Sequence, residues 1–219
     1  MKRAIVLLSG GLDSTTCMAL ADSEGYKICA LSFDYGQRHK RELQSSIKVA
    51  EYYRVESHKI IKLDNLGGSA LTDLALDVPD YNGSNSIPIT YVPSRNLIFL
   101  SYAGGLAETL NAQAIFIGVN ALDYSGYPDC RPEFINAFKE ALRFGTKKGI
   151  EGTPIEILTP LINLSKSEIV QLACKHKAPL NLTTSCYRGG DKACGTCDSC
   201  ILRKKGFKEA GMPDPIEYV

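Results

Sequence analysis

Apolar and polar positions along the chain form two alternating patterns. Short apolar runs, typical of buried strands, lie at residues 4–8, 28–33, 58–63, 114–119 and 155–158. Stretches with helical spacing of apolar positions lie between or after these runs, at residues 14–21, 40–53, 96–110, 132–145 and 165–176. Strands and helices that alternate over short connections imply right-handed crossovers and a parallel sheet with helices on both faces. The predicted fold class is therefore α/β, with a doubly wound, mainly parallel sheet.

Two stretches depart from this alternation. Residues 64–93 are rich in Gly, Asn, Ser, Asp and Pro and are too long for a simple connection within a compact domain, so we interpret them as an active-site loop. The composition shifts again near Leu180, where a Cys-rich tail begins that has too little apolar content for a core of its own. We predict two units: an α/β domain at residues 1–180, and a small metal-binding module at residues 181–219 packed on it.

The charges of the chain nearly cancel. Lys and Arg total 25 against 24 Asp and Glu, a formal net charge of +1 over 219 residues. No overall cationic field is available to hold a polyanion, so a stable complex with nucleic acid is not expected. The chain has no apolar run near the roughly 20 residues of a membrane span and no export signal at its start, so we expect a cytoplasmic protein without membrane contact.

Four of the eight cysteines crowd into the tail, separated by seven, two and two residues: Cys186, Cys194, Cys197 and Cys200. Clustered cysteines without an export signal indicate metal binding rather than disulfides. Four thiolates at this spacing suit a closed tetrahedral Zn²⁺ site, one ion per chain, which would be structural because sulfur fills every position. An iron–sulfur cluster is the alternative, but the bacterial ferredoxin pattern needs a fourth cysteine followed by proline shortly after such a run, whereas Ile201 follows Cys200.

The remaining cysteines have simpler interpretations. Cys17, Cys29 and Cys174 lie within apolar helix or strand patterns, where a free Cys behaves as a small hydrophobe, and we expect them in the core. Cys130 lies beyond the fourth predicted strand, at the sheet edge where α/β folds bind ligands. A packing role and a nucleophilic role both stay open for Cys130.

A glycine turn joins the first predicted strand to the first helix. Glycines there permit positive φ and close approach of the backbone, while exposed amides and the helix N-terminus attract an anion such as phosphate. The turn lacks the Gly-Lys-Ser/Thr of a Walker A loop and the Gly-x-Gly-x-x-Gly of a dinucleotide-binding turn. A tight turn in which Asp13 or Ser14 caps the helix is the alternative to an ATP site. The candidate ATP-binding residues are Leu8, Ser9, Gly10, Gly11, Leu12, Asp13, Ser14 and Thr15.

The segment Ser-Gly-Gly-Leu-Asp-Ser at residues 9–14 resembles the loop of the N-type ATP pyrophosphatases. Those enzymes cleave ATP between the α and β phosphates and adenylate an oxygen of their second substrate. The resemblance implies that Asp13 bears on Mg²⁺. It also implies ATP as a co-substrate, with Asp13, Ser14 and Arg95 as catalytic residues.

Three further segments, at residues 34–39, 92–96 and 123–134, look like the family of 7-cyano-7-deazaguanine synthases, and with the tail cysteines they extend the resemblance over nearly the whole chain. The resemblance implies a homodimer that makes the nitrile preQ0, a precursor of queuosine, from 7-carboxy-7-deazaguanine, ammonia and ATP, through adenylated acid and amide intermediates. Because the chain has no glutaminase domain, the ammonia would be free ammonium. One departure is Ser94, where a Gly is common in the family, and we expect it to be tolerated.

The same resemblance supplies a set of substrate contacts. Guanidinium groups would match the anionic substrates, with surface ion pairs as the alternative, and aromatic rings would stack on the purine-like ring or only pack. Asp123 and Asp129 would recognise a guanine-like amidine edge. The implied substrate-binding residues are Tyr35, Gln37, Arg38, Asn96, Asp123, Tyr127, Asp129 and Arg131.

Two other functions stay open on the sequence. One is a different adenylating enzyme, either an ammonia ligase or a tRNA-thiolating enzyme that uses Cys130 or Cys186. The other is a non-catalytic zinc module that binds nucleic acid through the basic stretch at residues 203–205, although three adjacent cations are more often a solvated face.

Overall fold

The computed structural model of the chain describes residues 2–64, 66–81, 87–122 and 126–219. Within these residues, parallel strands form one five-stranded sheet in the order β3-β2-β1-β4-β5. The first strand is central and the chain winds outward from it on both sides, which confirms the doubly wound α/β fold. The strands are β1 (Arg3–Leu7), β2 (Lys27–Asp34), β3 (Ser57–Lys62), β4 (Ala114–Phe116) and β5 (Glu156–Leu158).

Helices connect the strands and cover the sheet. As predicted, Pro132 occupies the first turn of its helix, and Ser165 with Glu168 forms a reciprocal capping box in which each side chain accepts a backbone N–H of the other residue. The helices are α1 (Leu12–Ser23), α2 (Arg41–Tyr52), α3 (Arg95–Thr109), α4 (Pro132–Gly145), α5 (Lys147–Ile150), α6 (Lys166–Lys175) and α7 (Asp198–Glu209).

Three elements differ from the sequence expectations. Strand β4 ends at Phe116 rather than at residue 119, because the chain beyond it passes against the turn between β1 and α1, where a Cβ on Gly118 would lie 3.0 Å from the Ser14 nitrogen. Helices α5 and α7 were not expected. The four-residue α5 is too short to show a period, and α7 carries charged residues and Gly206 where an amphipathic helix would have apolar ones.

Two buried clusters form the core, one on each face of the sheet. The alternation along β1 assigns Ile5 and Leu7 to one cluster and Ala4 and Val6 to the other. The C-terminal tail contributes to both clusters, since three of its cysteines belong to the first and Phe207 to the second. The tail is therefore packed on the α/β part of the chain. The boundary at residue 180 between two units stays a prediction.

The described part of the segment 64–93 is anchored to the sheet. Ser69, Ala70 and Leu71 are buried, and the Arg38 backbone N–H donates to the Leu71 carbonyl at 2.8 Å. Leu71 also lines the cavity described below, in agreement with an active-site loop. Among the described residues, none of the helices is long and apolar enough to cross a membrane.

Candidate active site

A cavity opens where the sheet order reverses, between β1 and β4 at the carboxyl ends of the strands. This is the position at which open α/β sheets bind ligands. The glycine turn after β1 forms its floor, residues after β2 and β4 form its sides, and the C-terminal tail closes one wall. The predicted residues that line it are Leu8, Ser9, Gly11, Leu12, Asp13, Ser14, Tyr35, Gln37, Arg95, Asn96 and Tyr127.

The N-terminus of α1 faces this cavity without a side-chain cap. Gly11 is the N-cap residue and has no side chain to accept the first amide groups of the helix. The hydroxyls of Ser9 and Ser14 lie 3.0 Å apart, and the Ser9 backbone N–H donates to Ser14 Oγ at 3.2 Å. Asp13 and Ser14 therefore do not cap the helix as the alternative interpretation required, and its N–H groups can receive an anion.

Two of the expected ATP-binding residues lie away from the cavity wall. Gly10 has a φ of +87°, and a Cβ on it would come within 2.3 Å of the Glu42 carbonyl oxygen. Gly10 is thus required for the close contact between the turn and α2. Thr15 is fully buried inside α1.

Lys166 is a residue of this site that the sequence analysis missed. Its Nζ lies 2.9 and 3.0 Å from the two carboxylate oxygens of Asp13, and both side chains are largely buried, at 8% and 17% exposure. Lys166 occupies the first turn of α6, where the helix dipole disfavours a cation. This unfavourable position was the one sequence signal that Lys166 interacts with a group outside α6.

Arg95 and Tyr35 meet on the opposite side of the cavity. The Arg95 Nη1 donates to the Tyr35 hydroxyl at 3.2 Å, with the guanidinium carbon 5.8 Å from the ring centre. Arg95 follows Ser94, which holds a left-handed conformation at φ 56° and ψ 19°, a region that costs glycine less than serine. The expectation that the serine is tolerated here stays a prediction. Gln37 Oε1 accepts the Tyr35 backbone N–H at 2.8 Å.

Three other expected substrate contacts are engaged elsewhere or face outward. The Arg38 guanidinium donates to backbone carbonyls of the segment 64–93, the shortest bond being 2.6 Å to Leu76. Asp129 accepts the backbone N–H of Asn96 at 2.9 Å, while the Asn96 amide donates back to the Asp129 carbonyl. Arg131 is exposed before α4. Asp123 lies outside the described residues.

The cysteines outside the tail cluster divide between core and surface. Cys17 and Cys29 are buried as expected, but the expectation for Cys174 was wrong because it is exposed. Cys130 lines the cavity at 5% exposure, and burial together with the Asp129 charge raises the pKa of its thiol to about 12. A thiol with such a pKa is protonated near neutrality, which favours the packing role.

The four tail cysteines converge as the sequence predicted. Their Sγ atoms all lie within 4.8 Å of one another, and backbone N–H groups of Cys194 and Cys197 point at sulfur atoms of the cluster. Tetrahedral thiolates at about 2.3 Å from a metal are spaced at just under 4 Å. The cluster can therefore hold one metal ion.

Helix α7 begins next to Cys197 and reaches the active-site cavity. Arg203, at 1% exposure, lines the cavity and forms a two-bond ion pair with Asp214, at 2.8 and 2.9 Å. It also donates to Thr183 Oγ1 at 2.8 Å, and the neighbouring Thr184 N–H donates to the Gly10 carbonyl. Of the stretch 203–205, Lys204 and Lys205 are exposed as a solvated face would be, whereas Arg203 is internal.

Known proteins resemble this chain along its length. The sequence profile of the family described as "Queuosine biosynthesis protein QueC" matches residues 3–211. The chain belongs to the QueC family. A QueC-family relative from Acetivibrio thermocellus, called 7-cyano-7-deazaguanine synthase, is 66% identical over 219 residues, covering 100% of this chain and 99% of that protein.

Other relatives agree with membership of the QueC family. A protein from Desulfitobacterium hafniense called 7-cyano-7-deazaguanine synthase 2 is 61% identical over 219 residues, covering 100% of this chain and 94% of that protein. Among solved structures, NMN synthetase from Francisella tularensis shares the fold, with a TM-score of 0.52 and 16% identity over 97% of this chain and 78% of that one.

Proposed function

We propose that this chain is a C–N bond-forming ligase of queuosine biosynthesis that converts 7-carboxy-7-deazaguanine and ammonia to 7-cyano-7-deazaguanine in an ATP-dependent reaction. The observation that carries the proposal is end-to-end similarity to relatives with that name, at up to 66% identity. The uncapped glycine turn at the switch point of the sheet supports it, because it offers amide donors to a phosphate.

In the first half of the proposed reaction, a carboxylate oxygen of the substrate attacks the α-phosphorus of ATP, and pyrophosphate leaves. The amides at the start of α1 and the hydroxyls of Ser9 and Ser14 bind phosphate oxygens. Lys166, whose Nζ contacts both carboxylate oxygens of Asp13, contributes positive charge beside the departing pyrophosphate. Arg95 balances the charge of the carboxylate on the opposite wall.

The resulting acyl adenylate is attacked by ammonia at its carbonyl carbon, and AMP leaves to give the amide. A second ATP adenylates the amide oxygen in the same site. Loss of AMP, with two protons from the nitrogen, leaves the nitrile. The same glycine turn thus serves both rounds.

The donor sets fit the two metals that the family resemblance implies. Asp13 would hold Mg²⁺, which supplies charge neutralisation at the phosphates, since Asp13 lines the cavity and both its carboxylate oxygens contact the Lys166 ammonium. Cys186, Cys194, Cys197 and Cys200 would hold Zn²⁺, which supplies structural cross-linking of the tail. A homodimer and a cytoplasmic location stay predictions.

The test is mass spectrometry of products from purified protein with 7-carboxy-7-deazaguanine, ammonium, magnesium and ATP, with AMP and ADP measured in the same sample. We expect the nitrile with two AMP per turnover. Formation of the nitrile with ADP would support the proposed substrate but contradict the adenylated intermediates. Absence of the nitrile would refute the proposal. Asp13→Asn should abolish both rounds without changing the metal content of the tail, whereas Asp22→Asn, exposed on the same helix, should be fully active.

A tRNA-thiolating enzyme is the weaker candidate. It would need a reactive sulfur at Cys130 or Cys186, but the first is buried with a raised pKa and the second belongs to the metal cluster. An ammonia ligase for another carboxylate would show AMP formation with that acid and none with 7-carboxy-7-deazaguanine.

A further inference from the structure

One carboxyl group in the active-site cavity lacks a hydrogen-bonding partner. Glu42, in the first turn of α2, lines the cavity, and within the described part of the chain no hydrogen bond or ion pair reaches its carboxyl oxygens. Burial raises the pKa of Glu42, against the opposing charges of His39 and Arg95. The Glu42 side chain is half-buried, and its carboxyl oxygens are open to hydrogen bonds from a ligand in the cavity, so a ligand that brings donors to them gains affinity.

The surroundings of Glu42 fit a flat ring. Its backbone touches the glycine turn at Gly10, so the side chain starts beside the ATP-binding floor. Aromatic residues line the same cavity, with the rings of Tyr35 and Phe99 5.6 Å apart and those of Phe33 and Phe99 stacked at 4.0 Å. A carboxyl in a cavity that also has aromatic walls is complementary to a heteroaromatic ring that carries two adjacent N–H donors.

The two ring systems of the proposed reaction differ in this respect. A 7-deazaguanine ring presents N1–H next to a 2-amino group, and both point at a carboxylate in the geometry that gives two parallel hydrogen bonds. The adenine of ATP presents an amino group next to an acceptor nitrogen, which a carboxylate matches at only one position. The triphosphate is negatively charged and would be repelled.

Asp129, the described residue expected to recognise an amidine edge, is already occupied by Asn96. We propose that the Glu42 carboxylate binds the N1–H and 2-amino donors of the 7-deazaguanine ring and so selects a guanine-like over a hypoxanthine-like substrate. This assignment rests on the proposed function. The two donors stabilise the charged form of the carboxyl.

The experiment compares kcat/KM for 7-carboxy-7-deazaguanine and for its analogue without the 2-amino group, in the wild-type protein and in Glu42→Gln. Hydrogen bonds to a charged group predict a wild-type preference for the 2-amino substrate on the order of 10- to 100-fold. Glu42→Gln should lose most of that preference, because its amide offers one acceptor and one conflicting donor. Its KM for ATP and for ammonium should stay at the wild-type value. Glu51→Gln, exposed on the same helix, should keep the full preference.

Each outcome decides between the assignments. An unchanged preference for the 2-amino substrate in Glu42→Gln would overturn the proposal. If the KM for ATP were raised at the same time, Glu42 would instead contact the ribose of ATP, and if the KM for ammonium were raised, Glu42 would bind ammonium. Binding of 7-cyano-7-deazaguanine without ATP, measured by calorimetry, gives a second readout, and the proposal requires weaker binding in the variant. If the wild-type protein forms no nitrile, the proposed function fails and this assignment fails with it, whereas nitrile formation with an unchanged preference removes this assignment alone.

Discussion

Ser94 holds a backbone conformation that side chains rarely adopt. Its φ of 56° lies in the left-handed region directly before Arg95 opens α3. That conformation costs residues with a Cβ roughly 1–2 kcal/mol, and glycine avoids the cost. We predict that Ser94→Gly raises the free energy of unfolding by up to about 1 kcal/mol, measured by urea denaturation.

Ser101→Gly is the matched control for this change. Ser101 lies inside the same helix, where glycine lowers the free energy of unfolding by about 0.5–1 kcal/mol. A lower stability for Ser94→Gly than for the wild-type protein would show that the serine side chain contributes more than its conformation costs.

Cys130 is expected to be dispensable for catalysis. Its thiol is buried and accepts from the Asn96 amide at 3.4 Å, and a pKa of about 12 keeps it protonated at the pH of assay. We predict that Cys130→Ala retains near wild-type kcat while its free energy of unfolding falls by about 1 kcal/mol, from lost packing. Alkylation mapped by peptide mass spectrometry at pH 8 should modify the exposed Cys174 well before Cys130.

A nucleophilic Cys130 would give the opposite result. Loss of turnover in Cys130→Ala, with a thermal melt close to the wild-type one, would reopen the sulfur-transfer candidate.

At the scale of elements, α7 depends on one internal ion pair. Arg203 and Asp214 are 1% and 10% exposed, and the Tyr218 hydroxyl donates to the same carboxylate at 2.6 Å. Removing one partner of a buried pair leaves the other charge uncompensated, which costs about 3–5 kcal/mol. We predict a loss of free energy of unfolding of this size in Asp214→Ala, measured by denaturant titration, together with a raised KM for ATP because Arg203 no longer fixes residues 183–185 against the glycine turn.

Glu217→Ala supplies the control from the same tail. Glu217 pairs with Lys192 at the surface, at 77% and 57% exposure, and such pairs contribute little to stability. Equal destabilisation by the two variants would contradict the special role of the internal pair.

The sequence predicted the elements whose signals are local. Apolar runs located every strand, and the Ser165–Glu168 pattern located the start of α6. Helix α7 escaped because its inward side bears cysteine, glycine and an arginine, so the usual periodicity of apolar residues is missing. Its stability comes from contacts distant in the sequence, such as the one between Gly206 and Lys166, and local propensity does not report these.

In the candidate site, too, the sequence predicted only the residues that have a local signal. Motif residues on the glycine turn were found, because their chemistry and position are both visible in the sequence. Lys166, Glu42 and Arg203 were not found, because each is distant in sequence from the motif and reaches the cavity only through the packing of α2, α6 and α7. Arg38 and Asp129 were predicted to bind substrate because of their side-chain chemistry and their place in the motif segments. In the structure both side chains form hydrogen bonds to backbone groups instead.

At the scale of the whole molecule, helix α7 links the cluster of four tail cysteines to the cavity above the glycine turn. Helix α7 begins at Asp198, between two cluster cysteines, and brings Ser199 and Arg203 to the cavity wall. Loss of the metal should therefore disturb the active site as well as the tail. We predict that Cys194→Ser loses the bound metal, melts at a temperature at least about 5 °C lower, and has a raised KM for ATP, as measured by elemental analysis, thermal denaturation and steady-state kinetics.

Cys174→Ser separates this effect from the loss of any one thiol. Cys174 is exposed on α6 and outside the cluster, so its variant should keep one metal per chain and wild-type kinetics. Iron with visible absorbance, in place of zinc, would correct the identity of the metal but leave the link to the active site intact. A metal-free Cys194→Ser with unchanged melting and unchanged KM for ATP would instead show that α7 is held by its packing and by the Arg203–Asp214 pair alone.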